Sequence, residues 1–426
     1  MPVLPRLRPP ALTALGDPVL RILASAALVN ALGRGVFLTL SILYLTLAAG
    51  LSAAVVAVVL TIASGVGVLT SVVAGHLADR VSARLLLVVL VAAEGCALIV
   101  FTWSPAVVVV AAIASLTIGA NRASNAVRSA IVARAFEGPA RAATRAVLRT
   151  VANAGIAAGS AAAGIPVLIG SPAAYRVTFI VAGCTTLAGA VTLLALPRSV
   201  DGRAPSPVGA VSHPTAPLGR SPFRDPRYLA LTLLAGVFAM QFGVAEVALP
   251  LWVVSDTRAP HVIVSTALIV NTAGVILLQI PLSRGSEDLR RAGSMTGLAG
   301  ALMAVACVAY GGASGVVAPL AVALLLAAVL LHTFAEILSS AGTWSLSFEL
   351  ADRARPGAYQ GVFAMGFSLG SMLAPLVVTV TALDHGMPGW IALAAVFLGS
   401  ALGVRALTRS SARMSSSLPA DESERP

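Results

Sequence analysis

Long apolar runs separated by short polar turns make up most of this chain. Runs near 22–45, 54–76, 85–103, 106–130, 147–169 and 176–196 are followed, after a polar proline-rich stretch, by runs near 228–254, 261–282, 293–311, 316–341, 358–382 and 388–406. Each is about 20 residues or slightly longer, enough as a helix to cross the ~30 Å hydrocarbon core of a bilayer. The pattern predicts an all-α integral membrane protein of twelve transmembrane helices. Two sets of six predict a duplicated architecture: a first bundle over 1–196, a linker over 197–227, a second bundle over 228–409 and a tail over 410–426. The linker holds several prolines and serines and Arg198, Arg203, Arg220, Arg224 and Arg227, without apolar periodicity. The tail is serine-rich and charged, which predicts disorder. The basic start from Met1 to Pro10 leads into an apolar run with no small-residue cleavage site, so that run reads as a retained first span.

Composition narrows the class. The 426 residues are 58% hydrophobic and 11% charged, with a mean hydropathy of +0.93, far too apolar for a soluble globular chain. The net charge of +11 does not point to nucleic acid, because the arginines lie in small groups between apolar runs and not on one face among aromatics. All 28 basic residues are arginine, since the chain contains no lysine. That excludes a phosphate-binding loop ending in Gly-Lys-Ser/Thr and any lysine Schiff base, leaving an ion or solute gradient or a partner subunit as the energy source. Cys96, Cys184 and Cys307 fall singly within apolar runs, and His76, His213, His261, His332 and His385 show no ligand spacing, so no metal is expected. Nor are the carboxylates clustered as a magnesium-dependent phosphotransferase requires. No cofactor is expected, and the chain is not read as an enzyme.

Arginine position sets orientation, because basic residues in short loops stay on the cytoplasmic side. Only Arg176 and Arg258 fall in outside loops and Arg34 and Arg122 within spans; the other arginines lie at or beyond cytoplasmic ends. Both termini are therefore expected inside a cell membrane. The turn between the second and third runs, Gly75-His-Leu-Ala-Asp79-Arg80-Val-Ser-Ala-Arg84, is the most compact charged element of this kind. A weak internal echo also appears: the fifth run carries Gly155, Gly159, Gly164 and Pro166, and the eleventh carries Gly361, Gly366, Gly370 and Pro375. Small residues one turn apart let helices approach closely in lipid, either as generic packing or as a seam between two moving halves.

The pattern Gly75-x-x-x-Asp79-Arg80-x-x-x-Arg84, in the second loop of a twelve-span chain, resembles the hallmark loop of the major facilitator superfamily. Arg149-x-x-x-Asn153-x-Gly155-x-x-x-Gly159, with Gly164-x-Pro166, is similar to the glycine-rich fifth span of its bacterial drug-exporter branch. The resemblance implies two six-helix bundles around a central cavity, alternating access, spans 1, 4, 7 and 10 facing the cavity, and spans 2, 5, 8 and 11 along the seam. Ser82 and Ala83 depart from the family pattern by one basic residue, which predicts a weaker hold on the closed state. Ile165 separates the glycine and proline that the exporter motif sets side by side.

Asp79 is expected to face the N-terminal end of the eleventh span near Gly357, whose amides and dipole favour an anion, with Arg128 or Arg134 completing the cluster. The alternative is a solvated turn that serves topology alone. Ionisable and polar groups inside spans are functional candidates because each is costly there. They are Asn30 and Arg34 in the first span, Glu94 in the third, and Asn121 and Arg122 in the fourth, then Gln241 and Glu246 in the seventh and His332 and Glu336 in the tenth. Arg34 or Arg122 is the expected partner of Glu94, either as a packing pair or around a proton site. A carboxyl taken out of water exchanges a proton more readily, which makes Glu336, then Glu246, the expected coupling groups, with a structural contact or a helix-end role as alternatives. The expected function is proton-coupled export of small, largely apolar molecules by a monomer in the lipid bilayer. The alternatives are a nutrient importer of the same fold and a non-transporting membrane sensor.

Overall fold

In a computed structural model the described residues are 16–104, 106–201 and 220–416. Twelve helices are long and apolar enough to cross a membrane: α1 Pro18–Thr46, α2 Val58–Ala78, α3 Ala83–Val100, α4 Val107–Ala135, α5 Gly138–Ile169, α6 Pro172–Leu193, α7 Pro226–Asp256, α8 Val262–Leu282, α9 Leu289–Gly312, α10 Ala318–Glu349, α11 Pro356–Leu383 and α12 Met387–Arg409. Among the described residues there is no β-strand beyond one isolated bridge, Thr257 to Ser314. The all-α, twelve-span fold is therefore as the apolar pattern predicts. Most of the linker, 202–219, and the end of the tail, 417–426, lie outside the described residues; the last helix runs on to Ser416.

Several helices outrun the apolar windows that predicted them. Hydropathy stops where charge begins, but a helix needs only good helix formers and a closed hydrogen-bond ladder, and it continues past the apolar stretch. Thus α4 runs to Ala135, α5 starts at Gly138 and α10 reaches Glu349. The left-handed backbone of Gly138, at φ +49°, and the first-turn Pro139 set the start of α5. Wider π-turns close the end of α1 at Tyr44–Ala48 and interrupt the ladder at Val244–Ala248 in α7 and Thr379–Leu383 in α11.

The chain divides into two compact units, one of Met1–Asp225, Thr272–Pro281 and Ala351–Met372, the other of Pro226–Asn271, Leu282–Leu350 and Leu373–Pro426. In the first, α1 packs on α5 and α6, α2 on α4, and α3 on α4 and α6. In the second, α7 packs on α12 and α9 on α10 and α12. The α1–α6, α3–α4 and α3–α6 pairings thus recur six spans on as α7–α12, α9–α10 and α9–α12.

Aromatic anchors repeat with the same offset. Tyr44 and Phe101, at the ends of α1 and α3, meet Tyr175 and Phe179 of α6, with the Phe101 and Phe179 rings 5.0 Å apart. Trp252 and Tyr310, at the ends of α7 and α9, meet Trp390 of α12 at 5.7 and 5.3 Å. Two of these rings satisfy their polar edges inside: Tyr44 donates to the Thr102 carbonyl at 2.9 Å and Trp252 Nε1 to the Tyr310 carbonyl at 2.8 Å.

Candidate functional site

The charged turn is assembled within the first unit. Asp79 follows the last residue of α2, and its carboxylate takes three charge-assisted bonds. Arg134 Nη2 donates to Oδ1 at 2.6 Å, the Gly357 amide to Oδ1 at 2.8 Å and the Ala358 amide to Oδ2 at 2.7 Å. The two amides belong to the first turn of α11, where a helix has no internal acceptors and carries its positive dipole end. Asp79 thus caps a helix 278 residues away in sequence. With the two side chains only 11% and 13% exposed, these bonds are weakly screened. Arg134 also donates to the Ala78 carbonyl at 2.9 Å, and it reaches Asp79 because α4 extends past its apolar stretch. Arg128, the other arginine expected here, goes elsewhere.

Glycine makes this approach possible. A Cβ on Gly75 would fall on the Gly357 carbonyl oxygen and 2.7 Å from the Gly361 Cα, and one on Gly361 would lie 2.8 Å from the Ser71 carbonyl oxygen. Gly361, named in the sequence as part of the eleventh-span glycine spacing, thus belongs to this crossing. Arg80 is exposed at the tip of the turn. The departure from the family pattern has a local reason. Ser82 caps α3, accepting from the Leu85 amide at 3.2 Å, and donates to Asp201 at 2.8 Å; Ala83 is fully buried, where a basic side chain has no room. Asp201 also accepts from the Arg84 amide at 3.0 Å, and Arg84 Nη1 donates to the Leu196 carbonyl at 3.0 Å. The end of the linker lies on the same face, with Phe223 stacked on His76 at 6.3 Å and Asp225 accepting from the Tyr359 hydroxyl at 3.2 Å.

Inside the first unit, Glu94 is held by amides. Asn30 Nδ2 donates to Oε2 at 2.7 Å and Asn121 Nδ2 to Oε1 at 2.9 Å, with the carboxyl 2% exposed. The hydrogen-bonding partners are thus two asparagines and not the expected Arg34 or Arg122; Arg34 acts on Glu94 through its field, as does Arg128. The asparagines reach Glu94 on α3 from α1 and α4. Arg122 lays its stem along α2, within 3.1 Å of where a Gly67 Cβ would stand.

In the second unit, Glu336 accepts from Asn271 Nδ2 at 2.9 Å, and Asn271 donates to Thr333 at 3.2 Å. His332 is buried beside it, its Nδ1 3.3 Å from the Tyr310 hydroxyl. Gln241 is buried at an irregular turn of α7 and donates to Ser339 at 3.3 Å. Glu246 sits on the α7 π-turn and is exposed.

The fifth-span glycines pack inside the first unit. Cβ atoms on Gly155 and Gly159 would strike Leu28, Ala31 and Leu32 of α1, and one on Gly35 would strike Ile156 and Ser160 in return. α5 is interrupted at Ala163; Gly164 stands in open space just after it and Pro166 is buried. In α11, Gly366 is half-buried and Gly370 buried.

Twelve helices of membrane length, with the Asp79 carboxylate at the end of α2 capping a helix distant in sequence, mark a polytopic membrane protein. The chain matches the Major Facilitator Superfamily over residues 23–375 and belongs to that family. Comparison with curated proteins by sequence finds no match. Among solved structures, the human organic anion transporter MFSD10 is 17% identical, with a TM-score of 0.67 over 91% of this chain and 100% of its own. A bacterial homologue of the iron transporter ferroportin, in its outward-facing state, is 16% identical, with a TM-score of 0.71 over 93% and 100%. The transporter FucP in its outward conformation is 12% identical, with a TM-score of 0.68 over 92% and 98%. These likenesses are of fold.

Proposed function

We propose that this transporter exports small, largely apolar molecules across the cytoplasmic membrane in exchange for protons, by alternating access, as a monomer with both termini cytoplasmic. The observation that carries the reading is the Asp79 carboxylate, shared between Arg134 and the first amides of α11. Such a contact has a formed and a broken arrangement, and a ligand that binds one better shifts the population toward it. Proton coupling draws support from Glu336 and Glu94, two buried carboxyls hydrogen-bonded by asparagines. An asparagine offers both N–H donors and a carbonyl acceptor, so it serves the carboxylate and the carboxylic acid alike. The export direction rests on the fifth-span pattern from Arg149 to Gly159, and the orientation on the arginines of the loops.

The test energises inside-out vesicles containing the protein and follows internal pH while dyes and antibiotics are added. The expected result is proton release linked to uptake of at least one apolar compound, lost in Glu336→Gln while substrate binding is retained. Uptake of an effective substrate with no proton movement defeats the antiport reading.

A further inference from the structure

We propose that Arg128, with Arg145 on the neighbouring helix, forms a buried subsite for an anionic oxygen group, a carboxylate or a phosphate, borne by a transported solute or by an acidic lipid. The solute case rests on the transporter reading above. Arg128 is 6% exposed, and one of its donors, Nη1, reaches Asn125 Oδ1 at 3.2 Å. Its Nε and Nη2 have no hydrogen-bond partner among the described residues. Those two donors form one edge of a planar fork, the edge that matches two oxygens of a carboxylate or phosphate. Leaving it unmatched in a buried site carries the full desolvation cost of the group.

A second observation comes from the neighbouring helix. Arg145 donates to Ser129, one residue along α4 from Arg128, at 3.5 Å, and the charges of Arg149 and Arg128 both fall on Arg145. Guanidinium groups this near one another repel, and an anion between them reverses the sign of each interaction. Glu94 is the carboxylate whose field reaches Arg128, but both of its oxygens are engaged by Asn30 and Asn121. The sequence places Arg141, Arg145 and Arg149 at four-residue spacing, which turns one face of α5 basic. An amphipathic substrate with an acidic group would be oriented here, its charge at the arginines and its apolar body along the apolar span residues.

The test measures binding of phenylphosphonate and of its neutral counterpart, benzyl alcohol, to the full-length protein in phosphatidylcholine nanodiscs. We expect phenylphosphonate to bind and benzyl alcohol to bind at least about tenfold more weakly, with phenylphosphonate affinity falling as salt rises. Arg128→Gln should lose about tenfold or more in phenylphosphonate affinity, and Arg128→Lys should recover part of it. Equal affinity in folded Arg128→Gln, equal binding of the two probes, or no phenylphosphonate binding to wild type overturns the proposal. Should Arg128→Gln fail to fold, the probe contrast and salt dependence of wild type decide the matter alone. Repeating the titration in phosphatidylglycerol nanodiscs separates the sources: unchanged affinity assigns a solute, and displacement by the acidic lipid assigns its headgroup. Binding is read without proton movement, so failure of antiport leaves this site standing, and failure of binding leaves export of neutral compounds standing.

Discussion

Two helix crossings in the first unit use the same packing device for different ends. Where α1 crosses α5, Gly35, Gly155 and Gly159 let backbone meet backbone, and Ser160 donates to the Gly35 carbonyl at 3.4 Å. Where α2 crosses α11, Gly75, Gly357 and Gly361 do the same, but the crossing is bordered by Asp79, Arg134 and the first amides of α11. Close packing between neutral backbones is held by dispersion spread over many atoms and has no switch. A carboxylate seated on a helix terminus adds a strong contact confined to one end, which on the proposed mechanism breaks when that end separates. The difference teaches that a small-residue seam alone does not mark a moving interface, and that a charge seated on a helix terminus beside one is the more specific sign.

The comparison breaks first on packing. Gly159→Val places methyl groups against the Leu32 backbone in a crossing with no proposed open state. It should cost about 3 kcal/mol or more and remove most folded protein, seen by fluorescence-detected size exclusion. Gly75→Val meets an equally tight wall, but on the proposed mechanism α2 and α11 can part. That variant should keep its folded yield and lose transport, and equal folding losses in both variants would erase the distinction.

A smaller effect is expected from charge. Asp79→Asn keeps the shape and removes the negative charge facing Arg134 and the α11 dipole. A loss of about 2–3 kcal/mol, or roughly 30- to 150-fold in the balance between the two arrangements, follows for a mostly buried pair. It should appear as increased labelling of a cysteine placed at Ala358 and as reduced transport at equal expression; unchanged labelling removes the gating role. Arg134→Lys should fall between wild type and Asp79→Asn, since it retains charge without the fork. Ser82→Ala removes only an N-cap and a bond to Asp201. It should lower stability by about 1 kcal/mol and Tm by about 2 °C with transport retained, which thermal unfolding in detergent measures.

The number and order of the spans were legible because lipid leaves the backbone no partner but itself, so every crossing segment must be a long apolar helix and announces itself as one. The hallmark turn was legible for a related reason: a lone carboxylate and basic residues between two apolar runs are expensive anywhere but at a membrane boundary. The sequence also singled out polar groups that lie buried and hydrogen-bonded inside the spans, since Glu94, Glu336, Asn30 and Asn121 stand out against apolar neighbours.

Partners were another matter. That Glu94 is clamped by asparagines, that Arg134 and not Arg128 reaches Asp79, and that Arg128 bonds Asn125 all depend on side-chain length and helix rotation, which periodicity does not specify. Hydropathy also ends a span where charge begins, so the extra turns of α4 and α5 that carry Arg134 and Arg145 to their contacts were invisible to it. Along this chain, the sequence alone determined what must cross the membrane and which polar groups go with it. Only the tertiary structure decided which of those groups meet, because a contact between residues 278 positions apart is set by how helices pack and not by any local pattern.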